Sequence, residues 1–177
     1  MRHLTAGLAA FAWLLAAPAA RGEQLLNVEL TGGAGLTAYN SGSESLLAPP
    51  HVTLSASYLL VRAGPVTMGP SLSLPLGFFR PDGDEDGPLS AQLALRPGFE
   101  VFGRPSADIA WSVAAGPSLV VTPDFVWGLE VGGAFSYFLT AGIGLTAGLD
   151  YGFFYGVDPV HVFTFRLGVL VSWEVAS

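Results

Sequence analysis

Six charged residues interrupt stretches that are otherwise apolar or built from glycine, serine and threonine: Glu29, Arg96, Glu100, Glu130, Asp150 and Arg166. Each takes the polar place in a two-residue alternation, as in Val28-Glu29-Leu30 or Leu149-Asp150-Tyr151. Charges withdrawn from water must pair or be neutralised. Two arginines set among four carboxylates are therefore expected to form a salt-bridge network. The same groups could instead line a narrow path for ions or protons, because glycines such as Gly33, Gly98, Gly132 and Gly148 share their face and leave space for water.

Other candidate chemistry is thinner. His51 and His161 begin two of the alternating segments, and His51 with Thr53, Ser55 and a distant acid could be assembled on paper into a hydrolytic set. A hydroxyl nucleophile needs its base within hydrogen-bond reach. The spacing supplies no such pair, so the reading is a non-enzyme, with a lipid-modifying hydrolase as the remote alternative. Asp82-Gly83-Asp84-Glu85-Asp86-Gly87 matches the start of a calcium loop, but Leu93 stands where the bidentate glutamate belongs. A solvated acidic loop is expected there. No catalytic, cofactor-binding or metal-binding residue is assigned.

Composition narrows the class. Hydrophobic residues make up 51% and charged residues 12%, with no lysine and no cysteine. A soluble domain usually carries about 25% charged residues. The net charge of −7 argues against a nucleic-acid partner, and the lack of cysteine excludes disulfides and zinc–thiolate sites. The mean hydropathy of +0.52 suggests a membrane. Beyond the first twenty or so residues, however, no stretch is apolar for the length of about 20 residues that a spanning helix requires. A closed β-barrel is the other way to satisfy the backbone in lipid.

The elements that would position the six charges are eight alternating segments, each about ten residues long, as a tilted membrane strand needs. They run from Leu26, Val52, Val66, Leu89, Trp111, Trp127, Ile143 and Phe163. An eight-strand interior is only wide enough for side chains. Volume therefore sends Leu, Phe, Trp and Tyr outward and Gly, Ser, Thr and the six charges inward. Outward aromatics cluster near strand ends, with Tyr58, Trp111, Tyr137 and Trp173 at one rim. Phe78, Trp127, Tyr151, Phe153 and Phe163 gather at the other, as in a pair of interfacial girdles. Arg62–Pro65, Gly103–Ala107 and Leu139–Gly142 read as short turns, Asn40–Pro50 and Arg80–Pro88 as longer outer loops. Pro70, Pro75, Pro97 and Pro117 fall inside strands, where bulges are expected to absorb them.

Residues 1–22 read as a signal peptide. Arg2 and His3 precede an apolar run, and cleavage is expected after residue 19 or 22. Residues 23–177 would then form the barrel.

Near the C-terminus, Arg166, Gly168, Val171 and Trp173 resemble the assembly signal of outer-membrane proteins: a polar residue, a glycine two positions on, then a hydrophobic and an aromatic residue. That resemblance implies recognition by the barrel-assembly machinery. The whole layout resembles small eight-stranded outer-membrane barrels of the OmpA-membrane-domain and OmpX kind. It implies a bacterial outer-membrane location, contact with lipopolysaccharide, and a structural or surface-interaction role with a plugged lumen. A small ion or solute channel is the alternative.

Overall fold

In the computed structural model, the described residues are 24–39, 46–79, 90–123, 125–156 and 159–175. The signal segment and the Asp82–Gly87 loop lie outside them. The chain forms β1 (Gln24–Tyr39), β2 (Leu46–Leu59), β3 (Val61–Ala63), β4 (Val66–Phe79) and β5 (Ser90–Gly103). It continues through β6 (Ile109–Thr122), β7 (Val126–Phe138), β8 (Ile143–Phe154) and β9 (Val160–Val175). All neighbours in the sheet are antiparallel.

β2 and β3 are one strand interrupted at Leu60. Both pair with β4, and Leu60 N–H still donates to the Met68 carbonyl at 3.0 Å. Nine segments thus make eight staves. β1 pairs with both β9 and β2, and the β2–β4 pairing closes the ring. A closed ring leaves no strand edge unpaired, which is what removal from water demands of a sheet.

Alternation then sorts the side chains. Leu30, Phe135 and Leu149 on the outer face are 56%, 71% and 67% exposed, whereas Asn27, Thr31, Thr53, Ser118 and Thr146 on the inner face are buried. An oily outside around a polar inside inverts the arrangement of a soluble barrel.

The prolines are accommodated in two ways, and only one is the expected bulge. Around Pro70 the β4 register moves from Ser57↔Ser71 to Val61↔Met68, so one extra residue sits on the β2–β3 side. Gly69 is required at that step, since a Cβ would overlap the Tyr58 carbonyl oxygen. Pro97 and Pro117 instead face each other across β5 and β6, inside a gap in pairing between Leu95↔Leu119 and Phe99↔Ala115. Neither offers an N–H, and the register is the same on both sides of the gap. Pro75 likewise falls in a gap of the β4–β5 ladder while still opposing Thr53 of β2.

One outer loop is shorter than the sequence suggests. Leu46–Pro50 belongs to β2, because β1 extends beyond Gly33 and pairs Leu36 with Leu47. Pro49 and Pro50 together oppose Ala34 at the shift between Gly33 and Gly35, a bulge where their missing donors matter least.

Candidate functional site: the layered lumen

The interior is arranged in three layers. At the waist, Arg166 of β9 reaches both neighbours in the ring. Its Nη1 contacts Glu29 of β1, and its Nε lies 3.0 Å from Asp150 Oδ2 of β8 and donates to Oδ1 at 3.2 Å. Arg96 of β5 reaches across β6 to Glu130 of β7, with Nη1 to Oε1 at 2.5 Å. All five side chains are largely withdrawn from solvent. Glu100 shares their face but lies against Ser57, and among the described residues it belongs to neither ion-paired group.

Glycine makes the waist sterically possible. Gly132 stands opposite Asp150, and a Cβ there would overlap the carboxylate. Gly148 stands opposite Arg166, where a Cβ would lie 3.1 Å from the guanidinium nitrogen Nε. The bulky charged side chain on one strand thus occupies volume that the next strand vacates. The remaining space, about 70 Å³ among Ser55, Ser73, Arg96, Glu130, Asp150 and Arg166, has room for about two waters.

Below the waist, at the end bearing the short turns, the inward positions turn apolar. Leu59, Phe102, Ala110, Phe138 and Leu170 form a buried cluster with Leu25 packed against it. Arg104 lies over it, its guanidinium carbon 4.0 Å from the centre of the Phe138 ring. Its two terminal nitrogens donate to the Ala107 and Ala141 carbonyls at 2.6 and 3.2 Å. Sequence reasoning missed this layer because it treated apolar residues as outward. Strand phase could have found it: Leu59 continues Thr53, Ser55 and Ser57, and Phe102 continues Arg96, Gly98 and Glu100.

Above the waist the lumen widens into a cavity of about 380 Å³, with Arg96 at its base. His51 and Gln92 reach into it from β2 and β5, while Val120, Phe154 and Val162 contribute apolar wall. His161 does not join His51. It faces outward, 2.8 Å from the Tyr151 hydroxyl through Nδ1 and packed against Phe153. The barrel wall separates the two histidines, so they cannot act as one catalytic set.

The aromatics fall at two ends. Tyr58, Trp111, Tyr137 and Trp173 lie at the strand ends beside the short turns, where the Tyr58 hydroxyl contacts Gln24. Phe78, Trp127, Tyr151, Phe153 and Phe163 lie at the opposite ends. Several of these join a continuous cluster: Trp127 stacks on Tyr155 at 4.3 Å, Phe153 meets Tyr155 edge-on at 4.9 Å, and Tyr151 packs on Phe163 at 5.0 Å. Of the assembly-signal positions, Arg166 and Gly168 face the lumen while Val171 and Trp173 face outward.

No family model and no curated protein matches the sequence. Solved structures do match in fold. Ail, the attachment invasion locus protein of Yersinia pestis, solved with the heparin analogue sucrose octasulfate, superimposes with a TM-score of 0.59 at 12% identity, over 86% of this chain and 100% of its own. The N-terminal β-barrel domain of Pseudomonas aeruginosa OprF gives 0.55 at 15% identity, over 86% and 100%. Neisserial surface protein A gives 0.54 at 16%, over 84% and 96%. The chain therefore has the fold of the small eight-stranded outer-membrane barrels.

Proposed function

We propose that the chain is an integral barrel of the bacterial outer membrane with a sealed lumen, acting as a structural or surface-interaction protein. The observation that carries this reading is the pairing of an oily outer band with a doubly obstructed interior. The Arg166 and Arg96 ion pairs cross the waist, and the Leu59–Phe102–Phe138 cluster fills the end below it. Long connections are usually extracellular and short turns periplasmic. On that rule the cavity opens outward and the apolar cluster faces the periplasm.

In this orientation Trp127, Tyr151, Phe153 and Phe163 would anchor the barrel in the lipopolysaccharide leaflet. Tyr58, Trp111, Tyr137 and Trp173 would anchor it in the inner one. Arg166, Gly168, Val171 and Trp173 would serve as the handle for the assembly machinery. A surface partner recognised by charge would have to suit a chain of net charge −7 without lysine. That disfavours the polyanion-binding chemistry of Ail's sulfated ligand.

A narrow channel is the second reading. It is favoured by the water-sized space at the waist and by Glu100, which stands outside the ion pairs. The test is to refold residues 23–177 into lipid, confirm folding by a heat-dependent gel shift, and record bilayer conductance. Shifted protein without current supports the sealed barrel. Steady current that changes in E130Q or R96A transfers the function to the channel reading, and absence of a shift overturns the barrel.

A further inference from the structure

We propose that the cavity above the waist is a binding cup for a small amphiphile, specifically an aliphatic chain of medium length ending in a single carboxylate. At about 380 Å³ the cavity falls within the range of small-molecule sites, about 300–1,000 Å³. Its composition is also that of such sites, with mostly apolar walls and a few converging polar groups. Ala94, Val120, Val126, Val160, Val162 and Phe154 are lumen-side residues directly above a waist whose inward positions are mainly glycine, serine, threonine and charge. These apolar side chains gain nothing from facing water, and they form a ring that an alkyl chain could fill.

The head group follows from charge. Arg96, His51 and Gln92 are the nitrogen-bearing side chains of the lining, and among the described residues that line the cup there is no carboxylate, although the chain as a whole is acidic. Arg96 spends one terminal nitrogen on Glu130, and its Nε is buried without an acceptor. A guanidinium has five donors in a fixed fork; with Nη1 on Glu130 and Nε buried, the second terminal nitrogen is the one a ligand carboxylate would meet without breaking the Glu130 pair. Gly33 opens the room for His51 above it, since a Cβ there would lie 2.6 Å from His51 Nε2.

The inference does not depend on whether the lumen conducts, because it concerns the space above the waist. It is tested by titrating ¹³C-labelled hexanoate, octanoate and decanoate into the folded barrel in phosphatidylcholine nanodiscs, with empty nanodiscs measuring partition into lipid. The expected result is saturable binding beyond partition, tightening about fourfold per added methylene until the chain outgrows the cup, and at least tenfold weaker for octanol. V162W, which fills the cup and leaves the waist intact, should abolish it while keeping the heat-dependent gel shift. R96Q/E130Q removes both partners together, and should bind octanoate and octanol alike. Titrations indistinguishable from empty nanodiscs overturn the site, as does unchanged binding in V162W. Equal binding of octanol and octanoate to the unmodified barrel overturns the carboxylate assignment.

Discussion

At the scale of single residues, the waist is a problem in compensation. Arg166 stands between Glu29 and Asp150, and removing it strips both buried carboxylates of the guanidinium that pairs with them. Breaking a buried pair from one side typically costs about 3–5 kcal/mol, whereas replacing all partners by apolar groups of similar size is often neutral. R166M should therefore lower stability by about 3–5 kcal/mol, and E29M/D150M/R166M should recover most of that loss, as read by urea unfolding of protein refolded in lipid. Refolding bypasses the assembly machinery, so the result is separate from any role of Arg166 in biogenesis. The glycines make a second demand. G132A puts a methyl where the Asp150 carboxylate lies, and overpacking of this kind costs about 1–3 kcal/mol. The same assay should detect that loss, and an unperturbed midpoint would show that the carboxylate can move aside.

At the scale of elements, the strands were legible because their alternation has a period of two and both faces carry it. Phase did what volume alone could not. The rule that large side chains point outward placed Leu30 and Phe135 correctly, yet it hid Phe102 and Phe138, which are large and inward. The barrel tolerates them because they sit at strand ends beside the turns, where they fill the lumen's lower end instead of competing with the ion pairs. The ion partners were not legible either. Which acid meets which arginine depends on stagger between strands, and the alternation within a strand carries no information about that. The split between Arg166's group and Arg96's group, with Glu100 left out, emerges only from the closed register. If the lower cluster is a seal as well as a core, F102A should cost about 3–5 kcal/mol in the unfolding assay. F102A/F138A should raise bilayer conductance only when the waist pairs are also removed. Current from the doubly truncated protein alone would show that the ion pairs do not obstruct the lumen.

At the scale of the whole molecule, the decisive property is that the barrel is inside out, and this has a positional consequence. A charge on a lipid-facing side chain costs about 2–4 kcal/mol for arginine at the bilayer midplane and about 0–1 near the interfaces. In water the two places would differ little, since exposed substitutions usually fall within about ±0.5 kcal/mol. Leu149, midway along β8, and Leu139, in the turn that follows β7, make the comparison fair because both are leucines more than half exposed, at 67% and 60%. L149R should therefore destabilise the refolded barrel by about 2–4 kcal/mol while L139R changes it by about 0–1, both measured in the same vesicles. Neither substitution touches the lumen, so the contrast reports only on what surrounds the protein. Equal effects at the two sites would mean that the oily band faces something other than lipid, and the outer-membrane reading would fail whatever the lumen conducts or binds.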